Sequence, residues 1–488
     1  MASQDLMEEL YFGGERVCFA KIYGSSILCC DSNALELENE DEKAKQSPAQ
    51  IGGVEMPFLP ARRIVQTSSF VPSSEGLPPI LSRPLLKTEW KTNLTGTKSG
   101  IRSAIIHHEG HHYRLKGCGN QDDKGIQNGF IVRVIPDDKE GKKELRGSCF
   151  YDLCLRELYM TAVIREKFEK MFHNFTCANS PLGYFHYETS EYGDPFPEIP
   201  KYCGVFETVG DRRAGDDLLC GLGRLLPLML SKSYDINILK NTFDPSRIEG
   251  NEILPTWMAC ATCGMPPQDI VSFSIPEVAP DPPPSLHSKW AGVWGKCQEI
   301  LGKYYGKKEQ EGKGGAVVGN LLAFMYWKIG WDCGEALRGL HKGGISWGTY
   351  TDTLGTHSNG HVNNMVVLPP SFSLSSTNHL LYPLDYDMAY LCETFKEGEG
   401  GKVEENLAVE VNSMRMSLSG GDLNTGAMGT EGWEGDCAVL GAALLDTALA
   451  GFDCAFEGKE DPHPVGGEEK ELMEAAVAVT QLALILSL

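Results

Sequence analysis

Two periodicities divide this chain, and the order in which they come limits the folds open to it. From about Leu86 to Ile135 the pattern is short β-type runs broken by glycines. Arg102 to His108 and His111 to Leu115 flank Glu109-Gly110, which predicts a hairpin, and Phe130 to Val134 predicts a further strand. Phe150 to Phe172 changes to helical spacing, with apolar residues at Leu153, Leu155, Leu158, Val163, Phe168 and Phe172. Tyr202 to Thr208 reads as a buried strand. Asp216 to Ser231, Ser288 to Gly306 and Ala316 to Leu340 then read as helices, interrupted by a strand pair at Val366 to Leu368 and Leu380 to Tyr382. Strands and one helix come first, and mostly helices follow. That order predicts an α+β fold of two unequal lobes. The expected division is an N-terminal extension over residues 1–60, a small β-rich lobe over 61–208 and a large helical lobe over 209–488, joined near Thr208 to Gly215.

Charge narrows the choice of partner. The 488 residues carry 66 acidic and 44 basic side chains, a net charge of -22. Phosphate backbones and anionic membranes select for an excess of Lys and Arg, so neither a nucleic acid nor a membrane is the expected partner. From Leu391 onward there are 19 Asp and Glu against 5 Lys and Arg, so that segment holds -14 of the total. Groups that handle an anionic ligand are therefore expected before it, and its acidic helices are expected to be a packing face or a partner surface. The first residues are acidic with no apolar run, and the 16 cysteines follow no framework spacing, which fits reduced thiols in the cytoplasm. The most apolar stretch, Leu472 to Leu488, is interrupted by Glu474, Thr480 and Gln481 and reads as a buried helix. Pro276 to Pro284 reads as a stiff polyproline-type segment.

Five polar features carry chemistry. Thr95-Gly96-Thr97-Lys98-Ser99-Gly100 reads as a glycine turn whose amides, with Lys98, could cover phosphates. Lys116 ends the expected hairpin beside Gly117, where a strand lysine can pair with ATP phosphates if a helix carboxylate orients it, and Glu157 on the following helix offers that carboxylate. His357-Ser-Asn359-Gly-His-Val-Asn363-Asn364 has the spacing of a kinase catalytic loop, in which Asn359 holds the base position and Asn364 the metal position. Leu384-Asp385-Tyr386 follows the strand pair and supplies a second metal ligand. Mg²⁺ takes hard oxygen donors and shares them with phosphates, so one amide and one carboxylate suffice. Asp211-Arg212-Arg213, after the buried strand, offers Arg212 as a further phosphate contact.

The segments Arg114-Leu-Lys-Gly-Cys-Gly119, Leu145-Arg-Gly-Ser148, Arg156-Glu-Leu158, His357 to Met365 and Leu384-Asp-Tyr386 together resemble the selenoprotein O family. The resemblance implies a bilobal protein-kinase-like fold and ATP- and Mg²⁺-dependent transfer of AMP to protein hydroxyls. It implies that Lys116, paired with Glu157, contacts phosphates, and that Asn364 and Asp385 hold the metal. This chain departs from the family at Asn363, which replaces an acid, and at Asp387, which replaces a glycine. The base position is Asn359, and no cysteine follows Cys454. A slow transferase, a phosphorylating enzyme and an inactive pseudokinase that binds nucleotide as a scaffold or assembly subunit all remain open.

Three other motifs compete. His108-Glu-x-x-His112 matches a zinc-hydrolase pattern, but Gly110 and the flanking β runs predict a hairpin where a helix would be needed. Cys260-x-x-Cys263 has no partner pair at metal spacing. Lys116-x-x-Gly119 matches the motif in which ligases form a covalent Lys-AMP, which makes a covalent-Lys nucleotidyltransferase the third reading.

Overall fold

A computed structural model describes residues 11–12, the strand residues between 16 and 146, and residues 117, 149, 151–171, 179–187, 202–230, 314–352, 355–369, 379–394, 400–420 and 433–459, with scattered residues from 473 to 487. Gly100, Glu109, Gly110, Gly119, Cys260, Cys263, Pro276 to Pro284 and Ser288 to Gly306 lie outside the described residues.

Ile131–Val134, within the strand expected at Phe130 to Val134, pairs with Lys143–Arg146 in a separate two-stranded sheet, whereas the expected hairpin and the expected strand at Tyr202–Thr208 join further strands in one antiparallel eight-stranded sheet. Its members are β1 (Arg16–Ile22), β2 (Ser25–Cys30), β3 (Phe70–Ser73), β4 (Thr88–Ser99), β5 (Ser103–His108), β6 (His111–Lys116), β7 (Asn179–Tyr187) and β8 (Tyr202–Thr208). Their spatial order is β2-β7-β8-β6-β5-β4-β1-β3. His108 and His112 lie on adjacent antiparallel strands, with His107 opposite His112 and His108 opposite His111. A metal ligand pair at i and i+4 of a helix is thereby ruled out. Strand β4 corrects the expected glycine turn. Gly96 and Lys98 sit inside the strand, opposite Ile106 and Ala104. The run Thr95, Thr97, Ser99 alternates as a strand does, and Thr97 and Ser99 are both buried. The alternation outweighs the glycine.

Helix α1 (Tyr151–Met171) lies on β7 and β8. Its buried stripe runs through Cys154, Leu155, Leu158, Thr161 and Ile164, the spacing of one helix face. Glu157 falls within that stripe. Gly204 of β8 lets the helix approach, since a Cβ there would lie 3.4 Å from Cys154 Sγ and 3.0 Å from the Phe206 ring.

After β8 the chain makes a π-helical turn (Ala214–Leu219) and enters α2 (Cys220–Leu230), which covers the expected helix. Helix α3 (Gly314–Lys342) is followed by β9 (Ile345–Ser346), a hairpin over residues 349–358, and the paired strands β10 (Met365–Val367) and β11 (Leu381–Pro383). Helices α4 (Gly400–Leu418) and α5 (Asp436–Glu457) complete the described core. Cys437–Glu457 is long and apolar enough to cross a membrane by length and composition. Here it packs on α3 through glycines. A Cβ on Gly330 would lie 1.8 Å from the Ala448 carbonyl oxygen, one on Gly334 2.4 Å from that of Phe452, and one on Gly451 2.3 Å from that of Trp327. Backbone meets backbone, so no side-chain rotation relieves an added methyl. Gly330→Ala is therefore expected to cost about 1–3 kcal/mol, seen as a lower denaturation midpoint. An unchanged midpoint would mean that α3 and α5 do not touch. Of the stretch 472–488, the described residues Met473, Ala476, Val477, Ala483 and Leu484 belong to the buried core.

Candidate nucleotide and metal site

Strand alternation places His112, Arg114 and Lys116 on one face of β6. Helix α1 crosses that face with Glu157 inward. Lys116 Nζ lies 2.8 Å from Glu157 Oε2, 2.5 Å from Asp385 Oδ1 and 3.1 Å from Asp387 Oδ2. The lysine side chain is 2% exposed and Glu157 3%. The sequence-predicted residues Lys116, Glu157 and Asp385 thus meet, although Lys116 and Asp385 are 269 residues apart. Arg114 adds an ion pair to Glu157 at 3.9 Å and one to Asp211 at 3.8 Å. Ser99 donates to the other oxygen of Asp211. Burial pushes the Glu157 carboxyl above its usual range, and the neighbouring Lys116 opposes that shift.

Asp385 takes φ 68°, the only positive φ among the described non-glycine residues. Asp tolerates this left-handed conformation better than most residues. Its carbonyl is held from two sides, by Trp347 Nε1 at 3.2 Å and Asn359 Nδ2 at 3.4 Å. Asn359 also donates to Asp387 Oδ1 at 3.2 Å. Asp387 therefore bridges the loop and the lysine. It was legible in the sequence only as the place where a glycine was expected.

The loop residues divide. Asn364 donates its amide to the Asn359 carbonyl at 3.0 Å, which leaves its side-chain oxygen as the donor atom toward a cation. Its own carbonyl accepts from Leu384 N at 2.7 Å, which ties it to the residue before Asp385. Asn363 turns elsewhere. It accepts from Asp216 N at 2.8 Å and donates to Asp216 Oδ1 at 2.9 Å, bracing the turn after β8. Gly215 makes room, since a Cβ there would lie 1.9 Å from Asn363 Oδ1. Arg212 is paired with Asp217 at 3.1 Å. Neither Asn363 nor Arg212 makes a described contact with the lysine cluster. Of the remaining predicted residues, Gly96 and Lys98 have only their backbone described, and Gly100 lies outside the described residues.

Two buried acids outside the motifs support this arrangement. Glu410 of α4 is 0% exposed and accepts from His341 Nε2 at 2.9 Å, from Gly348 N at 3.0 Å and from the Ser346 hydroxyl. The carbonyl of Gly348 in turn accepts from Asn359 N and Ser358 Oγ, both at 3.0 Å. Asp332 of α3 does the corresponding work under β11. The expectation that acidic residues after Leu391 face a partner or pack passively misses Glu410, which turns inward beneath the loop.

The carboxyl oxygens of Glu157, Asp385 and Asp387 lie within 4.8 Å of one another. They are hard oxygen donors, a set that could hold a metal ion. Arg114 and Lys116 bring two positive charges against the three negative ones of this triad. The formal charge of the triad exceeds that of these two cations by one. Comparison of the chain with protein-family models, curated proteins and solved structures returns no match.

Proposed function

We propose that this chain is an ATP- and Mg²⁺-dependent transferase that modifies protein side chains, on a protein-kinase-like arrangement of a β-rich and a helical lobe. Transfer of AMP to protein hydroxyls, as in the selenoprotein O family that its motifs resemble, ranks ahead of phosphorylation. The observation that carries the reading is the meeting of Lys116, Glu157 and Asp385. A strand lysine paired with a helix glutamate is the arrangement that orients nucleotide phosphates, and an aspartate at the same lysine is where their metal is held. Asn364 and Asp385 would hold Mg²⁺, which neutralises phosphate charge when bound. Lys116 would turn from its carboxylates to the phosphates, with Glu157 keeping it in place. Transfer with a loose transition state depends mainly on positioning and charge, so an amide at Asn359 slows the reaction without forbidding it.

One observation favours a second reading, a nucleotide-binding scaffold that transfers nothing or little. The Asn359 side chain donates its N–H groups to Asp387 and to the Asp385 carbonyl, and a carboxamide is too weak a base to take a proton from a substrate hydroxyl. The covalent-Lys reading is weaker. Three carboxylates take the three donors of a lysine ammonium, whereas a nucleophilic amine needs a free lone pair.

Incubation with ATP labelled at the α- or γ-phosphate separates these. Acid-stable α-label on protein, absent in Asp385→Ala, is the expected result. Label from the γ-position alone would mean phosphorylation. α-Label on Lys116 would mean the covalent intermediate. No label, with Mg-ATP still raising the melting temperature, would mean the scaffold. A chain that neither labels nor responds to Mg-ATP overturns all nucleotide readings.

A further inference from the structure

We propose that Asp332, on a helix outside every motif, is a positioning residue for the metal-binding pair Asn364 and Asp385. The proposal rests on the nucleotide-transfer reading. Asp332 side-chain exposure is 0%. Its Oδ2 accepts the backbone N–H of Leu380 at 2.6 Å and of Leu381 at 3.1 Å. Its Oδ1 meets Lys328 Nζ at 3.0 Å and His379 Nδ1 at 3.0 Å. His379 Nε2 lies 3.5 Å from Glu335. Both carboxylate oxygens are thus saturated, two of the four donors being main-chain groups at the start of β11.

Strand β11 cannot set its own frame. It pairs only with β10, three residues on each side, and so short a two-stranded ribbon is marginal alone. Asp332 supplies a reference at its entry by anchoring the amides of Leu380 and Leu381 to α3. From there the register is passed on. Leu381 pairs with Val367 and Pro383 with Met365, and Leu384 N donates to the Asn364 carbonyl. Asp385 begins one residue later. A displaced β11 would therefore shift Asp385 relative to Asn364 without touching either side chain. A carboxylate suits the task because it accepts four donors without offering one of its own, which an amide cannot do.

The test is Mg²⁺ binding by titration calorimetry on the full chain, with and without ATP, for the wild type, Asp332→Asn and Asp385→Ala. Residues that orient ligands from behind typically change metal affinity by about 10–100-fold. Asp332→Asn is expected to weaken Mg²⁺ binding within that range at temperatures well below its melting point. It should also raise hydrogen exchange over residues 379–387. If Asp332→Asn fails to fold, Asp332→Glu, which keeps the charge and moves it by one methylene, carries the same test. A variant with a lower melting temperature and unchanged Mg²⁺ affinity would make Asp332 structural only and overturn the proposal. A wild type that shows no Mg²⁺ binding, alone or with ATP, would overturn the metal assignment as well, and so the two failures are distinguishable.

Discussion

Lys116→Met is expected to abolish nucleotide-dependent labelling and to destabilise the fold by about 3–5 kcal/mol, the range for breaking a buried ion pair from one side. The reason is the company the lysine keeps. Glu157, Asp385 and Asp387 all lie within 3.1 Å of its ammonium, and two of the three are buried. Methionine fills the space and supplies no charge. Glu157 loses the stronger of the two cations, Lys116 and Arg114, that oppose its upward shift, so its carboxyl moves further up. Urea denaturation gives the stability loss, and the labelling assay gives the functional one. A companion change sharpens the expectation. Adding Asp387→Asn to Lys116→Met removes one of the orphaned charges and should recover part of the stability but none of the labelling. Equal stability of Lys116→Met and wild type would mean that the cluster does not form in solution.

Glu410→Ala is the second large effect, expected at about 3–5 kcal/mol, since it removes a buried acid and strands its partners. Those partners are His341, the Ser346 hydroxyl and Gly348 N. An unpaired buried donor costs about 1–3 kcal/mol, so the sum is set by how many of the three find water or each other. The consequence should reach the loop. Gly348 holds Asn359 and Ser358 through its carbonyl, and Asn359 holds Asp385 and Asp387. Hydrogen exchange over residues 346–361 should rise well beyond that of α5, and Glu410→Gln should retain much of the order, because the amide oxygen still accepts. Uniform loss of protection across the chain would assign Glu410 to global stability alone.

These two residues also mark the limit of what could be read from the chain. Lys116 was legible because it ends a β-type run beside glycines and is followed by a helix that offers a carboxylate. Glu157 was legible as a carboxylate on the helix that follows the lysine strand, and its place in the buried stripe came from the structure. Asn364 and Asp385 followed from spacing within a loop and after a strand pair. Over residues 95–99 the glycine turn failed as a reading because the Gly96 and Gly100 spacing suggested it, whereas three alternating hydroxyl residues belong to a strand. Arg212 was chosen for its place after the buried strand and Asn363 for its place beside the metal position of the loop, and the structure pairs their side chains with Asp217 and Asp216 in the turn after β8.

By itself, then, the sequence determined the central hairpin, the strand at Tyr202–Thr208, the strand pair after the loop and several helices, because periodicity and flanking residues are local properties, but it left β1, β2, β3 and β7 unread. Only the tertiary structure decided which carboxylates gather. Asp387 reads as an ordinary loop acid until β11 returns beside β10 and sets it against Lys116. Asp332 and Glu410 occupy helices on which a charged residue could equally face water. A helix fixes the direction of each side chain about its own axis, and the partner that meets that direction comes from elements up to hundreds of residues away.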